Sequence, residues 1–204
     1  MIGTRGMGRM ANPLNRCIRR ITPFAVLLIL FAQTAVGADQ GIRGHDPVPP
    51  AGCDVRLLKD RDYLPALLKG IDQARREIAL SVFFFKTNGF KNHLPDRVLA
   101  HLREAARRGV KVDVVVEQGQ EGDNISGDNA ETVKQLRAAG IAVCMDGPDR
   151  TTHAKMVIID RRYLFVGSHN LTQSALKYNH EVSVRIDSPS LAEEGLRYMK
   201  SLCP

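Results

Sequence analysis

The residues best suited to chemistry lie in one stretch, THAKMVIIDRRYLFVGSHNLTQSALKYNHE, from Thr152 to Glu181. His153 and Lys155 are two apart on an expected strand, so both side chains leave the same face. Ser168 and Asn170 are also two apart, and Gly167 just before them permits a close backbone approach. A neutral imidazole can act as nucleophile or general base. The lysine ammonium and the asparagine amide are donors suited to the non-bridging oxygens of a phosphodiester. A carboxylate such as Glu181 can accept a proton from one imidazole nitrogen and so fix the tautomer of the other. Together these groups support phosphoryl transfer with no metal and no cofactor, because Lys155 and Asn170 supply the charge neutralisation. One role is unfilled, since the leaving oxygen needs an acid and the stretch has a single histidine in this setting.

These residues need a scaffold, and the hydrophobic periodicity supplies one. CDVRLL (53–58) has strand character, and YLPALLKGIDQARR (63–76) has helical spacing with proline near its start. EIALSVFFF (77–85) is an apolar run of strand length, as in a strand buried on both faces. LPDRVLAHLREAARRG (94–109) reads as an amphipathic helix stopped by Gly109, and VKVDVVVE (110–117) as a strand. A polar loop over 118–129 leads to a helix, AETVKQLRAAG, closed by Gly140, and then to the strand IAVCMD (141–146). HAKMVIID, YLFVG and HEVSVRI read as three further strands, and LAEEGLRYMKSL (191–202) as a last helix. The alternation predicts an α/β domain with a central mixed, largely parallel β-sheet flanked by helices on both faces. A tight hairpin at Arg161–Arg162 returns Gly167 to the neighbourhood of His153.

The spacing of His153, Lys155, Asp160, Gly167, Ser168, Asn170 and Glu181 resembles the HKD signature of the phospholipase D superfamily, in the form carried by its small single-motif exported nucleases. The likeness extends over most of Asp54–Leu202, including ARREIALSVFFF and AARRGVKVDVVVE. It implies the phospholipase D-like fold and a metal-independent phosphodiesterase that hydrolyses through a phosphohistidine. It also supplies the unfilled acid. Larger relatives carry two such motifs face to face, whereas this chain has one and no internal repeat, which implies a homodimer with the site on the two-fold axis. His153 of one subunit would then attack phosphorus while the partner's His153 protonates the leaving oxygen. In this scheme Lys155 and Asn170 hold the phosphoryl oxygens, Ser168 adds a hydrogen bond, Glu181 orients the imidazole, and Asp160 ties the hairpin. His169 faces away by strand parity. Arg161 and Arg162, near the expected mouth, are candidates for contacts to substrate phosphates.

Competing readings rest on the same residues. A zinc site from His153, His169, His180 and Glu181 lacks a close ligand pair, and Lys155 would repel the cation. His93 and His101 read as surface residues. The run Phe83–Phe85 reads as core with one edge at the site entrance. Small size favours a nucleic acid substrate, DNA or RNA, cut as by a non-specific endonuclease. The alternative is a phospholipase D or phosphatidyl transferase acting on phospholipid headgroups, and a third class is a non-catalytic phosphate- or nucleic-acid-binding protein.

The chain has 204 residues, 44% hydrophobic and 25% charged, with a formal charge of +7. Five of its 29 basic residues, all arginines, fall in the acid-free first 38 positions, leaving 24 basic against 22 acidic residues beyond them. The global charge is therefore no argument for nucleic-acid binding. Residues 1–38 combine that arginine-rich start with an apolar run from Ile21 and a small-residue exit, which predicts a secretory signal peptide or N-terminal anchor; a mitochondrial address shares these features. Residues 39–52 are Pro- and Gly-rich and read as a linker, with the catalytic domain over 53–204. The expected location is periplasmic or secreted, or membrane-anchored through the leader. Of Cys53, Cys144 and Cys203, one pair can form in an oxidising compartment, and joining Cys53 to Cys203 would fasten the two ends of the domain.

Overall fold

The computed structural model describes residues 54–119, 124–147 and 150–203; the expected leader, the linker and Cys53 lie outside them. Seven strands form one sheet: β1 (Asp54–Lys59), β2 (Glu77–Val82), β3 (Lys111–Glu117), β4 (Ala142–Asp146), β5 (Lys155–Ile159), β6 (Tyr163–Gly167) and β7 (Val182–Asp187). Their order across the sheet is β1-β7-β6-β5-β2-β3-β4. The helices are α1 (Tyr63–Gln73), α2 (Leu94–Arg107), α3 (Asn124–Ala138), α4 (Gln173–Lys177) and α5 (Pro189–Leu202). No helix among the described residues is long and apolar enough to cross a membrane.

The α/β class and the mixed sheet agree with the periodicity, but the pairing is less parallel than expected. Only β2–β3 and β3–β4 run parallel, while β1–β7, β7–β6, β6–β5 and β5–β2 are antiparallel. The reason lies in the connections. Helices α2 and α3 are crossovers that return the chain in the same direction, whereas β5 and β6 are joined by a turn too short to do so. In that turn Asp160 and Arg161 both adopt positive φ, 54° and 55°, and the Arg162 N–H donates to the Ile159 carbonyl at 3.1 Å, so three residues reverse the chain between Ile159 and its partner Tyr163.

Two apolar layers hold the sheet. Leu67, Ile71, Leu80, Leu99, Leu102 and Phe165 belong to the larger, which packs α1, α2 and α3 on one face. Ile158, Met156, Leu164, Ala192, Leu196 and Met199 form the smaller, which packs α5 on the other. Helices therefore cover both faces. Burial of each large side chain contributes roughly 1.5–3 kcal/mol, so most of the cohesion comes from these two layers. The disulfide joins Cys144 of β4 to Cys203, not Cys53 to Cys203 as the bracketing argument suggested. Position in the sequence is a poor guide here, because the end of α5 lies across the sheet beside β4.

Asp160 ties more than its own hairpin. Its carboxylate accepts the backbone N–H groups of Arg75 (3.0 Å), Arg76 (2.8 Å) and Glu77 (3.1 Å). It thus anchors the start of β2 to the end of β5, at the end of the sheet opposite His153 and Lys155.

Candidate active site

The chemistry-bearing residues gather at one end of the sheet, where β2, β3 and β6 finish and β5 and β7 begin. Open α/β sheets place ligands at the carboxyl ends of their parallel strands. Lys155 opens β5 opposite Val82 of β2, and Gly167 closes β6 opposite Ser183 of β7. A Cβ on Gly167 would collide with the Val182 carbonyl and with Ser183, so glycine is required for β6 and β7 to meet there.

His153 is exposed, and its ring lies 4.7 Å from that of Phe83 at an angle of 52°. Lys155 is only 9% exposed. Its Nζ donates to the His153 carbonyl at 2.7 Å and lies 5.2 Å from the centre of the Phe83 ring. Burial lowers the lysine pKa, and the charge of Glu181 opposes that shift. The ammonium is thereby tied to the His153 backbone and set against the Phe83 ring, with two of its protons unclaimed by described groups. Asn170 accepts the Phe84 N–H on Oδ1 at 3.3 Å. This leaves its Nδ2 to donate outward.

Ser168 and Glu181 behave differently from expectation. The Ser168 hydroxyl donates to Glu181 Oε2, and the hydroxyl oxygen accepts the Val182 N–H at 3.0 Å. The other Glu181 oxygen accepts from Asn179 Nδ2 at 3.0 Å. The carboxylate is held by its own loop and not by the imidazole of the same chain, and Ser168 spends its single proton on that carboxylate. Ser168 is placed to hold Glu181 rather than to bind a phosphoryl oxygen directly.

Arg161 and Arg162 are not at the mouth. The hairpin that carries them lies at the opposite end of β5 from His153, roughly 20 Å away at about 3.3 Å per residue. Arg161 pairs with Glu77 at 2.7 Å and with Glu193 at 3.4 Å, and Arg162 grips Asp187 through two hydrogen bonds of 2.7 and 2.8 Å. Both guanidiniums are committed to structure.

Support for the site comes from buried residues with no recognisable pattern in the sequence. Asn129 is fully buried; its Oδ1 accepts the Phe85 N–H at 2.9 Å, and its Nδ2 donates to the carbonyls of Phe83 and Glu117, both at 2.8 Å. One amide thus fastens the ends of β2 and β3. Glu117 accepts the Thr152 N–H at 2.6 Å and fixes the chain just before His153. Phe83 touches both groups, its ring centre 4.7 Å from that of the imidazole and 5.2 Å from the Lys155 ammonium.

His169 points away, stacked on Tyr63 with ring centres 4.2 Å apart. Its Nε2–H donates to the Asp60 carbonyl at 2.9 Å, and Nδ1 accepts from Ser183 Oγ at 2.7 Å. Burial lowers its pKa below the ordinary 6.5, against the pull of the nearby Asp60 and Glu181. The folded state therefore keeps this ring neutral while the unfolded chain takes up a proton near pH 6.5. The corresponding stability is complete above that value and lost as pH falls below it, with a slope of at most about 1.4 kcal/mol per pH unit. Urea unfolding midpoints measured from pH 8 to pH 5 should decline more steeply for the wild type than for His169→Gln; equal slopes would refute the assignment. His180 is fully exposed and 3.3 Å from Asp60. Among the described residues no cluster of three or more His, Cys, Asp or Glu side chains is arranged to hold a metal ion.

A family model described as cardiolipin synthase, PLD-like domain, matches residues 67–203. Cardiolipin synthase B of Shigella flexneri is 28% identical over 164 residues, covering 72% of this chain. The mitochondrial cardiolipin hydrolase of Canis lupus familiaris is 31% identical over 133 residues, covering 65% of it. The chain spans only 38% and 47% of the length of these two relatives. Among solved structures, the phospholipase D family member Nuc from Salmonella typhimurium superposes with a TM-score of 0.63 at 23% identity, covering 74% of this chain and 94% of that one. NucT from Helicobacter pylori gives 0.60 at 21% identity, covering 74% and 96%. These likenesses establish the fold.

Proposed function

Because this chain belongs to the phospholipase D superfamily, whose members are phosphodiesterases, we propose that it is a metal-independent phosphodiesterase that cleaves DNA or RNA with little sequence preference. The observation that carries the reading is the exposed His153 ring and the buried Lys155 ammonium bonded to the His153 carbonyl, both packed against Phe83. A nitrogen of His153 attacks phosphorus and the bond to the leaving oxygen breaks. The partner's His153 protonates that oxygen, then takes a proton from the water that attacks phosphorus and breaks the P–N bond. Lys155 Nζ and Asn170 Nδ2 stabilise the non-bridging oxygens, as preorganised donors do where charge develops.

The second imidazole comes from a second copy of the chain. Val55, Leu57 and Val182 are 54%, 54% and 53% exposed. Leu57 lies opposite Val184, which lies opposite Val166, so one apolar row crosses β1, β7 and β6 on the face that α5 leaves open. Val182 follows Glu181 directly, which brings this row to the border of the half-site. A copy seated there meets the vacant side of the site. The Cys144–Cys203 bond supports the exported location that the leader suggests.

The family description and the cardiolipin hydrolase likeness favour a second reading, hydrolysis of phospholipid headgroups. Incubation in EDTA with supercoiled plasmid, RNA and phosphatidylcholine or cardiolipin vesicles separates the two. Nicking that survives chelation, with specific activity that falls on dilution through a monomer–dimer transition seen by sedimentation, is the expected result. Lipid cleavage with intact plasmid and RNA would select the second reading, and a fully active monomer would remove the shared site.

A further inference from the structure

On the larger-core face, away from His153, a cavity of about 200 Å³ opens between α1 and the β1–β7 edge of the sheet. One wall is a helical stripe, Ala66, Lys69, Gly70 and Gln73, at the spacing that puts residues on a single face of α1. The other wall carries Arg56 and Arg185. These two arginines are directly opposite each other in the β1–β7 ladder, which brings their Cβ atoms within about 5.5 Å on the same face. Like charges in that relation are destabilising unless something offsets them.

Little in the protein does so. Arg185 lies over the Tyr163 ring at 4.4 Å and reaches Asp54 only at 3.5 Å. Arg56 and Lys69 form no ion pair among the described residues. The only carboxylate on the cavity wall belongs to Asp160, and its oxygens are taken by the N–H groups of Arg75, Arg76 and Glu77. Three cations thus converge on a concave surface with one committed anion. Such a cavity favours an anion with several acceptor oxygens, and the Gln73 amide adds a neutral donor.

From this convergence we infer that the Arg56–Lys69–Arg185 cavity is a second phosphate-binding site, which holds a backbone phosphate of a polynucleotide several nucleotides from the scissile bond. The inference rests on the nucleic-acid reading above. The separation suits it, because Lys155 to Ile159 alone spans roughly 13 Å along β5 at about 3.3 Å per residue. The domain's modest net charge is no obstacle, since binding depends on where cations cluster and not on their sum.

The test is the double variant Arg56→Gln, Lys69→Gln, both surface positions, with Arg185 left on Tyr163. Two substrates are compared: a single-stranded oligonucleotide of about 20 nucleotides and bis(p-nitrophenyl) phosphate, which occupies the catalytic centre alone. The ratio of kcat/KM on the oligonucleotide to that on the small diester should fall about tenfold at low salt. The plot of log Kd against log salt for the oligonucleotide should become shallower by about 1.4, roughly 0.7 for each lost cation. An unchanged ratio and slope in a variant of unaltered thermal midpoint would overturn the assignment while leaving the nuclease reading intact. A wild-type protein that hydrolyses the small diester but does not bind the oligonucleotide would remove both. A defect seen on phosphatidylglycerol vesicles and absent on the oligonucleotide would make the cavity a headgroup site and equally defeat the inference.

Discussion

His153→Ala should lower phosphodiester hydrolysis by about 10⁴-fold or more, the scale on which removal of an enzyme nucleophile is felt, while the thermal midpoint stays within about a degree of wild type. The two halves of this expectation come from separate observations. Chemically, no other described imidazole is placed to replace the ring, because His169 has both nitrogens engaged behind the site, and His180, His93 and His101 stand beside Asp60, Asp96 and Asp72. Structurally, the ring is exposed and touches Phe83, and it is the backbone carbonyl of His153, retained in alanine, that accepts from Lys155. Acid-sensitive, alkali-stable phosphate on protein quenched during turnover would report the P–N bond. The variant should show none. Residual activity near the wild-type rate, or covalent phosphate on a protein lacking His153, would require another nucleophile.

Loss of the Cys144–Cys203 bond should cost about 4 kcal/mol of stability, the chain-entropy value for a closed loop of this size, 59 residues. The bond also clips the end of α5, whose Ala192, Leu196 and Met199 cover Met156, Ile158 and Leu164 on the smaller core face. Without it the last turn of α5 can fray from β4 and expose that layer. The double variant Cys144→Ser, Cys203→Ser, unfolded in urea beside the oxidised wild type, measures the effect directly, and dithiothreitol should move the wild type to the variant's midpoint. Neither change touches the half-site, so activity at temperatures well below the midpoint should persist. A midpoint insensitive to both reductant and substitution would show that α5 docks through its apolar face alone.

Where the fold was legible in the sequence, the reason is periodicity. EIALSVFFF and VKVDVVVE are buried on both sheet faces and read as continuous apolar runs, and Gly109 and Gly140 stop their helices at positive φ of 86° and 76°. The start of α3 was not legible, because residues 124–129 are rich in polar residues and lie in what reads as a loop. Tertiary bonds settle that region: Asn129 engages β2 and β3 at once, a role invisible in a single sequence. The nearness of His153 to Lys155 follows from their spacing, but strand parity does not set it, because His153 lies just before β5 and the link is from Lys155 Nζ to the His153 carbonyl. Arg161 and Arg162 lie away from the site for an equally simple reason. Closeness in sequence to a catalytic strand says nothing about which end of that strand a turn occupies. Glu181 shows a subtler limit, because a carboxylate can serve several neighbours and only coordinates show that Ser168 and Asn179 claim it.

The order of the strands has a kinetic consequence. β2, β3 and β4 meet through local crossovers, but β1 finds its only neighbour in β7, and the Asp54–Arg185 pair spans 131 residues. Closing so long a loop is slow relative to local pairing. During synthesis β1, the first of the described strands, must wait with its backbone edge unpaired until β7 has emerged. Among the described strands, the sheet is therefore completed by the one made earliest, and through that interval the unpaired edge is open to pairing with other chains.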